Sequence, residues 1–411
     1  MIPALIKVRQ ELACPTLKDP ISELKKQLLP FSRKIKPGDK VAIAVGSRGI
    51  AKIDELVKVV VEWVKAQGGE PMIIPAMGSH GASTSLGQKQ VLAGLGISET
   101  RTGCKIFSEI KAKKIGEIEG INVWTDRFAL KADHLILINR IKPHTSFHGK
   151  YESGLCKMLA LGLGKREGAS ELHKFGPGRL AELIPQVAEY LLQKIPVLLG
   201  VAVLENYKEE MAQLEILSGK EFFKKEPKLL IEAKKLLPGL PFSEFEVLII
   251  DQIGKDKSGT GMDTNVIGRL GLFGIPEPEE PKIHRIVVLD LSPKTKGSAY
   301  GIGLADITTK RVIDKLDYES MKENALASTF MERARIPLWF ESDKEAIICA
   351  IKTSWSADLS RIRMVRIKST LELEEFWITE NLLKESKVTL RIISKKKGLK
   401  FDKTGNLLGL K

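Results

Sequence analysis

The chain has 411 residues, 43% of them hydrophobic, and a formal net charge of +14 at pH 7. That length exceeds what one small core serves and points to two domains, while a mean hydropathy of −0.06 is ordinary for a soluble globular protein. No run approaches the ~20 uncharged apolar residues that span a bilayer, MIPALIKVRQELACP lacks a signal-peptide layout, and cytoplasmic residence with no membrane partner is expected.

Cys14, Cys104, Cys156 and Cys349 are scattered without a CxxC pair, which excludes a disulfide framework, a four-thiolate zinc site and a self-supplied iron–sulfur cluster. The positive charge fits either attraction for anions or a lysine-rich surface. No RNP motif, helix-turn-helix or aromatic-interleaved basic stripe accompanies it, so nucleic acid is not an expected partner.

In chain order, KVAIAV (40–45) has the continuous apolar run of a strand buried on both faces. It ends in the turn Gly46-Ser47-Arg48-Gly49. IDELVKVVVEWVKAQGG follows with Ile53, Leu56, Val57, Val60 and Val64 on one stripe, early acids and a Gly68 stop, the marks of a helix. PMIIP (71–75) is the next strand, which completes a βαβ unit and hence a parallel sheet. The loop AMGSHGAST follows it. DHLILI (133–138) is a third strand, continued directly by NRIKPHTSFHG. ESGLCKMLALGLG reads as a helix from about Ser153, with Leu155, Met158, Leu159 and Leu163 facing the core and Lys157 as the odd residue among them. Lys157 either snorkels to water or is an amine of lowered pKa. LLPGLPFSEFE (236–246) is the expected boundary between an N-terminal α/β domain over 1–245 and a C-terminal α/β domain over 246–411. Strands are expected near 284–291, 346–352 and 362–368, the strand-like KVTLRIIS and the last ~20 residues being open to pack on either domain. The fold class is therefore two α/β domains, the first with a largely parallel sheet, and the active site is expected in the cleft between them.

Histidine is concentrated: five of the six, His80, His134, His144, His148 and His173, fall between residues 80 and 173, with His284 outside. Imidazole suits both metal ligation and proton transfer near neutral pH. Arg48, His80 and His144 each lie shortly beyond the carboxyl end of an expected strand, where open α/β sheets bind ligands. His134 precedes its strand core and reads as structural. GKDKSGTGMDTN (254–265) has no Walker order and GSAYGIGLAD (297–306) no dinucleotide register.

Taken together, GSRG (46–49), GSH (78–80), KPH (142–144), SGLCK (153–157), His173 and GTGMDTN (259–265) resemble, in order and interval, the nickel-dependent lactate racemases and their 2-hydroxyacid racemase and epimerase relatives. The resemblance covers most of the chain and implies an isomerase that racemises or epimerises a 2-hydroxy acid by reversible hydride transfer. The family cofactor is nickel held by a pyridinium-3,5-bisthiocarboxylic acid mononucleotide, the nickel-pincer nucleotide, tethered to a lysine. By position, Lys157 is the implied anchor and His173 the nickel ligand. Ser47, Arg48, Ser153 and Gly154 would touch the cofactor, and His80 and His144 are the two acid/bases. Arg48, Arg269 and Trp355 would contact substrate. The small-molecule hydroxy acid and the enzymes that make the cofactor are the implied partners.

The chain also departs from the pattern. Val45 stands where the lactate enzymes have aspartate, Gly49 replaces a proline, and a few extra residues before SGLCK let His148 compete with His144. The family's substrate lysine is missing near Gly268, where Arg269 is the substitute. These changes point to a hydroxy acid other than lactate. A nucleotide-binding α/β oxidoreductase without nickel and a non-enzymatic anion- or metal-binding protein are the alternative readings.

Overall fold

A computed structural model describes residues 2–81 and 83–409, except for the side chain of residue 327. The chain divides into two compact units, Ala13–Leu237 and a second made of Met1–Leu12 with Pro238–Lys411. Strand β1 (Ile6–Gln10) opens the chain and belongs to the second unit.

The unit Ala13–Leu237 is built on β2 (Lys40–Val45), β3 (Glu70–Pro75), β6 (His134–Arg140), β7 (Val197–Glu205) and β8 (Met211–Ser218), with a separate hairpin of β4 (Lys113–Ile118) and β5 (Ile121–Thr125). The five-stranded sheet has the order β3-β2-β6-β7-β8, parallel except for the edge strand β8. Alternation along β2 explains its two-sided core. Val41 and Ile43 face Leu56, Val57, Val60 and Val64 of the helix Ile53–Ala66. Ala42 and Ala44 face the other layer, with Leu155, Leu159, Leu183 and Val187. Each buried valine, leucine or isoleucine among these contributes roughly 1.5–3 kcal/mol by leaving water. The hairpin turns at Glu119 and Gly120, both at positive φ (49° and 80°), the geometry that matches strand twist.

In the second unit an eight-stranded sheet runs β12-β11-β10-β9-β13-β14-β1-β15. Its members are β9 (Glu244–Ile253), β10 (Lys282–Leu291), β11 (Ile307–Thr309), β12 (Leu338–Phe340), β13 (Met364–Ile367), β14 (Glu375–Ile378) and β15 (Leu390–Ile392), together with β1. From β12 to β13 neighbours are parallel; β14, β1 and β15 continue it antiparallel. Two expectations change here. β1 pairs with β14 and β15, so the start of the chain sits with the C-terminal unit, and KVTLRIIS supplies β15 to that same sheet. The strand expected over 346–352 is a helix, Asp343–Lys352, opened by a capping box of Ser342 and Glu345. Its buried Ala346, Ile347, Ala350 and Ile351 recur at helical, not alternating, spacing. Among the described residues no helix is long and apolar enough to cross a membrane.

Candidate functional site

In the unit Ala13–Leu237 the chain leaves β2 for β3 on one side, and β6 lies on the other side of β2. The switch point of an open parallel sheet is where neighbouring loops diverge and leave a crevice. The loops there are 46–51 after β2 and 141–154 after β6, with 76–81 after β3 beside them. Side chains join these loops. Ser47 Oγ hydrogen-bonds His80 Nδ1, and Glu205, at the end of β7, accepts the Ala51 N–H at 2.6 Å and pairs with Arg140.

The segment after loop 141–154 begins as a single α-turn, Leu155–Lys157, and then widens into a π-helix, Met158–Gly162, where a continuous α-helix is the sequence expectation. The widening lets backbone meet backbone. Gly78 N–H donates to Gly162 O at 3.1 Å, and a Cβ on Gly162 would lie 2.7 Å from Ala76 O. Just beyond, the buried Lys165 ammonium lies 2.7 Å from the equally buried Asp126 and donates to Pro75 O, the last residue of β3, at 2.6 Å. The His80 loop is thus seated directly on the segment that carries Lys157.

Lys157 lies with its ammonium 5.7 Å above the Phe147 ring, and the His144 ring stacks on the same phenyl at 4.2 Å. Burial, then the charges of Arg48 and Lys142, push the lysine amine down to about 7 against the pull of Glu152. At neutral pH a substantial fraction is therefore the free amine, although part of the side chain still meets solvent. Arg48 is exposed, with Arg140 as its cationic neighbour.

His173 closes the helix Lys165–His173. Its Nδ1 lies 2.7 Å from Ala169 O, and because a carbonyl only accepts, Nδ1 carries the proton and Nε2 keeps its lone pair. Burial, with a smaller push from Lys157, lowers its pKa and favours this neutral ring. The two side chains therefore feel each other electrostatically. Among the described residues no three His, Cys, Asp or Glu side chains converge to hold a metal ion. One imidazole with a free Nε2, electrostatically coupled to an amine of lowered pKa, fits a metal that arrives with its own donors on a tethered group.

Several residues of this region escape the sequence patterns. Glu152 is buried at 1% exposure and gathers His144 N–H (2.6 Å), His148 Nδ1 (3.3 Å) and Lys234 Nζ (2.7 Å). Glu226 is equally buried and accepts the N–H groups of Leu155 and Cys156, both at 3.1 Å. Gly154 is required beneath it, since a Cβ there would sit 2.2 Å from Glu226 Oε1. Asn139 holds the Gly154 carbonyl at 2.7 Å, and Ser153 and Lys142 exchange both backbone hydrogen bonds. His134 pairs with Asp39 at 3.0 Å, outside this group.

Arg269 and Trp355 lie in the other unit. Arg269 is committed to Leu304 O (3.0 Å), Asp306 (2.9 Å) and Ile283 O (3.0 Å), as a brace is. Trp355 is 81% exposed at φ +60°, with the Arg285 guanidinium 4.5 Å over its ring, so it is not a core tryptophan.

Residues 7–176, which include His80, His144, Lys157 and His173, match the family described as the lactate racemase N-terminal domain. No curated protein sequence matches the chain. Among solved structures, the lactate racemase apoprotein from Thermoanaerobacterium thermosaccharolyticum has the same fold, with a TM-score of 0.54 at 12% identity over 90% of this chain and 99% of that one. Over residues 7–176 the chain is thus similar to the lactate racemase N-terminal domain, and its fold is that of a lactate racemase.

Proposed function

We propose that the protein is a racemase or epimerase of a 2-hydroxy acid, not restricted to lactate, that works with the nickel-pincer nucleotide of the lactate racemases it resembles. The observation that carries this reading is the charge-coupled pair of Lys157, whose amine is brought down to about 7, and His173, whose Nε2 lone pair is free. Lys157 would hold the nucleotide covalently and His173 would ligate its nickel, with Ser47, Arg48, Ser153 and Gly154 around the group. When bound, such a group would supply a reversible hydride acceptor for the substrate α-carbon.

The chain's own residues supply the rest. Taking the α-hydrogen as a proton is disfavoured beside a carboxylate, so the hydroxyl proton must leave to a base as the carbon becomes planar. His80 serves one enantiomer, and His144 or His148 of loop 141–154 serves the other. Arg48, whose charge reaches Lys157 as does that of Lys142, presents the positive charge that orients a carboxylate and retains the oxo acid between steps. The enzymes that assemble the nucleotide are the proposed partners. Intact mass and metal analysis of protein produced alongside those enzymes tests the reading. A covalent adduct on Lys157 with one nickel per chain is expected, and an unmodified, nickel-free chain that interconverts no 2-hydroxy acid would overturn it.

A further inference from the structure

We propose that Glu152 is a positioning residue that fixes the ring of His148, making His148 the proton-accepting histidine of loop 141–154. Glu152 lies in the interior with both oxygens engaged: Oε2 by His144 N–H at 2.6 Å and His148 Nδ1 at 3.3 Å, Oε1 by Lys234 at 2.7 Å and Gly149 N–H at 3.4 Å. Burial alone would raise its pKa, but the bonds from His148, Lys234 and the His144 amide outweigh that and hold it ionised. An ionised carboxylate only accepts, so His148 Nδ1 must be the donor. The neutral ring then carries its lone pair on Nε2, and the ring is half-exposed, with 36% of its side chain accessible.

His144 is wired the opposite way. Its Nδ1 lies 3.1 Å from the Ser146 N–H, a group that only donates, so Nδ1 is the acceptor and the neutral ring bears its proton on Nε2. Stacking on Phe147 holds that orientation. A neutral His144 can take a hydroxyl proton only by giving up the Ser146 bond, whereas His148 can take one at Nε2 while a carboxylate steadies the resulting imidazolium. That is the arrangement in which a buried acid orients a histidine base. The order of the motifs in sequence favours His144; the hydrogen bonds favour His148.

The catalytic role rests on the racemase reading above, but the ring tautomers do not. The test is the ¹⁵N ring spectrum of the full chain labelled at histidine, assigned with His144→Gln and His148→Gln and recorded above the imidazole titration. His148 is expected as the Nδ1–H form and His144 as the Nε2–H form. Glu152→Gln, which keeps size but not charge, should shift His148 toward Nε2–H. Lys234→Met, which removes the other cation and leaves the carboxylate, should not. In nucleotide-loaded protein Glu152→Gln should lower kcat roughly tenfold or more, at little change in KM. His148 in the Nε2–H form, a ring unmoved by Glu152→Gln, or equal effects of Glu152→Gln and Lys234→Met would overturn the proposal. A wild type that interconverts no 2-hydroxy acid would instead overturn the function, a result read separately from the spectra.

Discussion

The carboxylate of Glu226 accepts the backbone N–H of Cys156, the residue immediately before Lys157. Burial pushes that carboxyl up to about 7, against the bonds from the Cys156 and Leu155 amides that pull it down. Lys157 arrives at about the same value from the other side. An acid and an amine that begin six powers of ten apart thus titrate together at one short helical turn.

The consequence for stability has a definite sign. With its folded pKa raised, Glu226 binds more protons in the folded chain between about 4.5 and 7, so its contribution is full below that window and falls as pH rises through it. Glu226→Gln should flatten the fall in Tm across this window and be relatively more stable at pH 8, by on the order of 3 kcal/mol at most. Thermal melts of both proteins from pH 4.5 to 8 check this. Parallel curves would mean that the carboxyl is not buried in its charged form.

For Lys157 the sign reverses. Its folded pKa lies below the ordinary 10.5, so the unfolded chain binds more protons from about 7 upward and stability rises with pH over that window. The same shift makes it the lysine of choice for a limiting dose of an amine-selective acylating reagent. Labelling at Lys157 should level off above pH 7, while surface lysines are still gaining reactivity toward 10. Peptide mapping by mass spectrometry reads both, and uniform labelling of all lysines would contradict the shift. Lys157→Arg should fold and carry no nucleotide adduct, since a guanidinium keeps charge but does not form that bond.

His173→Ala should leave the Lys157 adduct in place and lower nickel content, because the histidine is proposed as ligand and not as tether. Loss of an outer partner of a metal ligand already costs ~10- to 100-fold in affinity, and loss of the ligand itself should cost more. Metal analysis after dialysis decides it. Undiminished nickel would assign His173 to structure alone.

Gly162→Ala should destabilise the fold by ~1–3 kcal/mol, the cost of overpacking, although alanine is by ~1 kcal/mol the better helix former. The reason is the 2.7 Å approach of its Cβ to Ala76 O, a backbone atom with nowhere to retreat. Denaturant unfolding measures the change, and a neutral or stabilised variant would show that the His80 loop is not seated as described. Substrate turnover should suffer in the same variant, since the loop would be displaced from the Lys157 segment.

How much of this was legible in the sequence follows from what each signal encodes. Doubly buried strands such as KVAIAV announce themselves as apolar runs, and the helix Ile53–Ala66 as a stripe with acids at its start. The run EAIICAIK is equally apolar, but its identity as a helix lay in the Ser342–Glu345 capping box, a local signal outweighed by the run. Glu226 could have been found: Phe222, Leu229, Leu230 and Ala233 share its helical face, which places an acid on a buried stripe. Glu152 could not be found that way, because no period governs loop 141–154 and its partner Lys234 comes from a distant helix. The π-helix was invisible for a different reason. It is dictated by the approach of Ala76 and Gly78, not by the residues within it.

Strand β1 is made early in synthesis, yet its neighbours β14 and β15 lie near the far end of the sequence. The elements from Ala13 to Leu237 find their partners within that one compact unit. A ribosome therefore releases the whole region bearing His80, Lys157 and His173 while β1 still waits unpaired. Its apolar Ile6 and Val8 stand open over that interval. Assembly is then ordered in time, with the half that carries the proposed site formed first and the leading strand captured last, and substitutions in β1 should trouble yield and aggregation before they trouble chemistry.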